Sequence, residues 1–150
     1  MLFRSLEQEH KRWDYKVESG ADYSITQPIF DSGSFLRWRE LLGEKYRPHF
    51  VGIWPLVSLR NAEFMANEVP GVKVPEWVIS EMEKAGGDLS ESVKRGKEIA
   101  IRTMSELSDA CEGFCVSAPL GKIEVALEVM STVSGVEAGF GKKVSGSNAV

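Results

Sequence analysis

Phe50-Val51-Gly52-Ile53-Trp54 is a run of five residues without a charge or a hydroxyl, followed at once by Pro55. A short unbroken apolar run of this kind is expected of a parallel strand covered on both faces. Parallel neighbours are joined by long crossovers, usually helical, so the flanks should hold helices that lead to further strands. On the N-terminal side they do. Tyr23-Ser24-Ile25-Thr26-Gln27 alternates and is rich in β-formers, and Pro28 marks where ladder pairing is expected to stop. Between the two runs, Asp31 or Ser34 can cap a helix that carries Phe35, Leu36, Trp38, Leu41 and Leu42 and ends near Gly43.

The C-terminal side repeats the pattern. Ser58 is placed to cap a helix through Phe64 and Met65, which Pro70-Gly71 ends. Pro75 suits the first turn of another short helix with Trp77, Val78 and Met82 inward, closed by Gly86-Gly87. Asp88 and Glu91 read as a capping pair for a long helix on which Val93, Gly96, Ala100, Met104, Leu107 and Cys111 keep helical spacing. The glycine on that face predicts a close approach by a neighbour. A third strand, Gly113–Ala118, then Pro119-Leu120-Gly121, leads to a last helix with Ile123, Ala126, Leu127 and Met130. At the other end, Leu2, Leu6, Trp13 and Val17 fall on one face of an opening helix that Gly20 stops. The order predicts an α/β chain of about three parallel strands with flanking helices, as in a segment of a larger βα array. Residues 1–133 form that unit, and 134–150, rich in Gly, Ser and Lys, read as a flexible tail.

Composition narrows the function classes. The 150 residues carry 18 Lys+Arg against 22 Asp+Glu, a net charge of −4, with no basic run of the kind that neutralises phosphates on nucleic acid or an anionic membrane. No apolar stretch reaches the roughly 20 residues of a membrane span, and Met1-Leu2-Phe3-Arg4-Ser5 turns polar too soon for a signal peptide, so a cytoplasmic protein is expected. Cys111 and Cys115, with only His10 and His49 elsewhere, assemble neither a zinc set nor a Cys-Xaa-Xaa-Cys pair and read as reduced packing thiols.

In a βα array, chemistry sits at the carboxyl ends of the strands and in the loops that follow. That rule selects Thr26-Gln27-Pro28, Trp54-Pro55-Leu56 and Ser117-Ala118-Pro119. Gln27 either satisfies loop backbone groups or offers an acceptor and a donor to an amide-like ring edge. Asp31 is a helix cap or a general base. Arg12 and Lys16, one helical turn apart, are a solvated face or a phosphate contact. No nucleophile–base pair and no Gly-rich phosphate loop is present, so no catalytic residue is assigned.

Lys16-Val17-Glu18-Ser19-Gly20-Ala21-Asp22 running into Ile25-Thr26-Gln27-Pro28-Ile29-Phe30-Asp31 resembles the methylenetetrahydrofolate reductase family. The resemblance continues through Gly52-Ile53-Trp54-Pro55-Leu56, Asn67-Glu68-Val69-Pro70-Gly71, Val74-Pro75-Glu76 and Gly113–Pro119, and so covers about residues 4 to 133. The third-strand block and Asn67–Gly71 look most like the reductase half of bacterial proteins that join it to a homocysteine S-methyltransferase. The resemblance implies a partial (β/α)8 barrel, its sixth to eighth strands, from a reductase that binds FAD, takes hydride from NADH or NADPH, and reduces 5,10-methylenetetrahydrofolate to 5-methyltetrahydrofolate for methionine synthesis. It implies that Gln27 contacts the folate pterin and that Lys16, with Arg12 beside it, lies near the FAD phosphates. It also implies that Met65, or Phe64 with a one-residue shift, lies against substrate. The family's first-strand catalytic glutamate and fourth-strand aspartate precede the matched segment. Its eighth-strand His and Tyr stand here as Cys115 and Ser117, and Lys122 is the nearest counterpart of an arginine by the folate tail. The expected partners are therefore a folate and either the missing N-terminal half of the barrel or a second copy of the chain. The alternative is a non-catalytic half-barrel that self-associates or complements another chain.

Overall fold

Among the residues that this computed structural model describes, 6–133, the elements follow the expected order. They are α1 (Leu6–Glu18), β1 (Ser24–Pro28), α2 (Ser32–Glu40), β2 (His49–Ile53), α3 (Leu59–Asn67), α4 (Glu76–Glu83), α5 (Leu89–Leu107), β3 (Gly113–Val116) and α6 (Ile123–Ser131). Short 3₁₀ turns at Gly43–Lys45 and Pro119–Gly121 lead into β2 and α6. The strands form one sheet in the order β1-β2-β3 with both pairs parallel. Leu2 and the tail from 134 lie outside the described residues.

Local chemistry sets the helix starts. Asp31, Ser58 and Asp88 each accept a backbone N–H three residues on, from Ser34 at 3.0 Å, Asn61 at 3.1 Å and Glu91 at 2.8 Å. These bonds satisfy donors that a helix N-terminus otherwise leaves open. Gly20 ends α1 at a φ of +96°, its N–H donating to Val17 O while Ala21 N–H donates to Lys16 O, a left-handed stop that glycine adopts without strain.

One face of the sheet is covered by helices. Val51 and Ile53, opposite Phe114 and Val116 in register, pack with Phe35, Ala100, Met104, Leu107 and Val129 from α2, α5 and α6. A second cluster, with Phe30, Leu56, Met65, Val78, Met82 and Ile99, joins α3 and α4 to the middle of α5. The long helix therefore spans both clusters, and Gly96 at its middle lies against the Leu56 backbone as expected.

At the amino end of β2, His49 is fully buried among Trp13, Phe35, Trp38 and Tyr46, with Nδ1 2.5 Å from Ser24 Oγ. Burial there pushes the imidazole below its ordinary range, against a smaller upward pull from Glu112. Trp13 Nε1 donates to Lys45 O at 2.9 Å, and Lys45 Nζ pairs with Asp14 at 3.2 Å and Glu18 at 3.3 Å, which ties α1 to this end of the sheet.

β1 ends at Pro28 as expected, with Gly52 opposite it after a register shift, and Ile29 N–H then donates to Gly52 O at 3.0 Å. One expectation is corrected: the two faces of β2 are not both covered among the described residues, because Phe50 is 37% exposed. Its register partner Ile25 is 60% exposed on the same open face. An unbroken apolar run does not distinguish a strand buried between two layers from one whose second face is open. No helix among the described residues is long and apolar enough to cross a membrane.

Candidate functional site

The open face has an apolar floor and a more polar rim. Tyr23, Ile25, Phe50, Phe114 and Cys115 line a wide, shallow depression, with the Tyr23 and Phe50 rings edge to face at 6.1 Å. At the carboxyl ends of the strands, beyond the residues that line the floor, stand Gln27 on β1, the Trp54-Pro55 turn after β2 and the Ser117-Ala118-Pro119 turn after β3.

Gln27 is exposed two residues beyond Ile25. It belongs to a bulge, since three steps of β1, Ile25 to Pro28, face two steps of β2, Phe50 to Gly52. Thr26 holds the bulge from both sides: its hydroxyl donates to Gln27 O at 2.8 Å, and the hydroxyl oxygen accepts Gly52 N–H at 2.9 Å. A Cβ on residue 52 would come within 2.6 Å of Thr26 O and 3.0 Å of Gln27 O, so the bulged carbonyls fit only over a glycine. Reading β1 as a plain alternating strand misses Thr26 and Gly52. The available signal was a glycine inside an otherwise apolar strand.

On the rim, Trp54 Nε1 donates to Asn61 Oδ1 at 3.1 Å, fixing the indole against the start of α3. Of the two α3 candidates, Met65 is 3% exposed within the core, while Phe64 is 54% exposed. After β3, Ser117 N–H donates to Ile53 O at 2.9 Å, and Leu120 takes a φ of +50°, a left-handed conformation rare for a side-chain-bearing residue.

Asp31 is the cap of α2 and no free base. Burial raises its carboxyl, but hydrogen bonds from Lys73 and Ser34 outweigh that and hold it down to about 2; Lys73 Nζ lies 2.6 Å from Oδ2. Cys111 donates to Leu107 O at 3.3 Å, and its thiol is pushed up by burial. Cys115 instead is exposed on the open face, so the packing role expected for both thiols holds for Cys111 alone. The two are not bonded to each other.

Lys16 and Arg12 are exposed on α1, with Arg12 Nη1 3.5 Å from Glu9 Oε1. Lys16 lies in the last turn of α1, which feeds the start of β1, whereas Gln27 lies near the end of that strand. The structure therefore brings Gln27 together with Thr26 and Gly52. It places the two cations on a separate element.

A family model described as methylenetetrahydrofolate reductase matches residues 3–131. The 5,10-methylenetetrahydrofolate reductase of Buchnera aphidicola subsp. Acyrthosiphon pisum (strain APS) is 30% identical over 100 residues, which are 65% of this chain and 33% of that protein. A solved structure from Clostridium thermocellum, of a protein that binds two copies of 5-methyl-5,6,7,8-tetrahydrofolic acid, has a similar fold. Its TM-score is 0.52 at 21% identity, over 82% of this chain and 46% of that one. The chain thus spans about a third of the length of the curated relative and under half of the structural one. It belongs to the methylenetetrahydrofolate reductase family, and its three strands and flanking helices are a partial (β/α)8 barrel.

Proposed function

We propose, with that membership as the premise, that the chain supplies the folate-facing part of a flavin-dependent reductase. The reaction is conversion of 5,10-methylenetetrahydrofolate to 5-methyltetrahydrofolate with NAD(P)H. The observation that carries the reading is the place of Gln27, exposed near the carboxyl end of β1, the strand whose Ile25 lines the open apolar floor. One carboxamide offers two donors and an acceptor, the set needed to fix the amide-like edge of a pterin, while the apolar floor suits a flat ring system. The folate bound by the Clostridium thermocellum protein supports the substrate class. Phe64, exposed on α3 one position from Met65, is the residue of that pair open to a ligand, whereas Met65 is buried in the core.

FAD fits the chain at its phosphate end. Arg12 and Lys16, four residues apart on a helix, project from neighbouring turns, and two exposed cations at that spacing suit a diphosphate. When bound, FAD supplies the ring that carries hydride between nicotinamide and folate. The residues of this chain hold its phosphates and orient the pterin. The resemblance puts the proton-assisting glutamate and the flavin-side aspartate on strands that this stretch does not contain, so we expect negligible turnover from this stretch by itself.

The open floor also favours a second reading, a half-barrel that pairs with itself or with a chain carrying the other strands, because exposed apolar sheet faces and unpaired edges promote association.

Equilibrium dialysis of the purified chain against 5-methyltetrahydrofolate tests the proposal. Retention of the folate at close to one equivalent is expected, and equal concentrations on both sides of the membrane would overturn it.

A further inference from the structure

The reading of Gln27 as the pterin contact leaves open what aims its side chain, and the bulge beneath it answers that. We infer that Thr26 and Gly52 are positioning residues that hold a one-residue bulge and thereby set where Gln27 presents its carboxamide. The inference rests on the proposed folate role of Gln27 and adds two residues to it.

In a regular parallel pair, Gly52 N–H would donate to a β1 carbonyl. Here three residue steps on β1 face two on β2, and the Thr26 hydroxyl oxygen accepts Gly52 N–H at 2.9 Å within the bulge. The same hydroxyl spends its proton on the Gln27 carbonyl at 2.8 Å, which fixes the peptide that follows the Gln27 side chain. One hydroxyl thus joins the backbone of the ligand-bearing residue to the neighbouring strand. Gly52 completes the arrangement by absence: any Cβ would press on the Thr26 and Gln27 carbonyls at 2.6 and 3.0 Å. A valine at 26 would keep the shape and remove both bonds, and a serine would keep both. Pro28, directly after the bulge, has no N–H to give to a regular ladder, so the chain gains nothing by slipping back into register. Bulges commonly re-aim a side chain in this way.

The test compares the wild-type chain with Thr26→Val, Thr26→Ser and Gln27→Ala, read by hydrogen exchange at the Gly52 amide and by affinity for 5-methyltetrahydrofolate. Thr26→Val is expected to speed Gly52 exchange and to weaken folate binding by about tenfold each, the scale of one lost hydrogen bond. Thr26→Ser should restore both. Gln27→Ala should weaken binding while leaving Gly52 exchange unchanged. A merely structural threonine would change the melting temperature and leave the affinity of the folded chain as it was. The inference is overturned if Thr26→Val leaves the Gly52 amide protected, or if it binds folate as the wild type does. A wild-type chain that binds no folate overturns the reading of Gln27 itself, a result distinct from a wild type and a valine variant that bind equally.

Discussion

The carbonyl oxygen of Leu56 lies 1.8 Å from the point a Cβ on Gly96 would occupy. The long helix α5 can cross the loop after β2 at that height only because residue 96 has no side chain. Alanine ordinarily favours a helix interior over glycine by about 1 kcal/mol. Here the added methyl meets backbone, which cannot rotate away, and overpacking of this kind destabilises by roughly 1–3 kcal/mol or more. Gly96→Ala should therefore lower unfolding stability by about 2 kcal/mol in urea, while Glu98→Ala on the exposed side of the same helix stays within about 0.5 kcal/mol. An unchanged midpoint for Gly96→Ala would contradict the packing described.

The Asp31 carboxylate caps α2 and also accepts from Lys73 in the segment between α3 and α4, so it fastens two elements together. Its folded pKa of about 2 lies below the ordinary 3.8. The folded state thus binds its proton less readily than the unfolded chain, and the stabilisation is complete above about pH 4 and lost as pH falls through about 2. Asp31→Asn keeps a capping oxygen but loses the ion pair with Lys73, so it should remove up to about 1 kcal/mol at pH 7 and should flatten the loss of stability between pH 4 and 2. The check is a series of chemical melts across that range; parallel curves for the two proteins would refute it.

Elements with a local cause were legible in the sequence. Three caps, the stop at Gly20 and the tight glycine at 96 each follow from one residue type in a periodic frame. The site was legible only in part. Gln27 followed from the rule about strand ends, but the bulge under it did not, because Pro28 marks a limit to pairing and cannot show that the ladder resumes beyond a skipped residue. Phe64 and Met65 are neighbours on one helix, and which of them turns inward depends on where α3 lies against α4. Cys115 and Phe50 look like core by composition, and only the register of three strands shows that they share the open face with Ile25.

That shared face leads to a prediction about association. With Tyr23 at 59% exposure and Ile25 at 60%, the floor is a contiguous apolar surface on a sheet whose edge strands β1 and β3 have no further partner among the described residues. Light scattering at micromolar concentration should report species larger than one chain, and Ile25→Lys should shift the population toward the monomer. A monodisperse wild-type monomer would argue against it.

Arg12 and Lys16 carry the expected contact with FAD phosphates. Flavin fluorescence anisotropy should rise as the chain is titrated into FAD but not into riboflavin, which lacks the diphosphate. Lys16→Ala should move the midpoint several-fold higher, the scale of one charge-assisted contact. Equal responses to FAD and riboflavin, or no effect of the substitution, would remove these residues from the cofactor site.

The central claim is that Gln27 is the group by which this chain holds a folate. Calorimetric titration of 5-methyltetrahydrofolate into the wild type and into Gln27→Ala tests it most directly, with thermal melts confirming that both are folded. Gln27 is exposed, so its replacement should leave the melt within a few degrees. The account predicts measurable binding to the wild type and affinity at least about tenfold weaker for the variant. Equal heats and equal affinities for the two would contradict it.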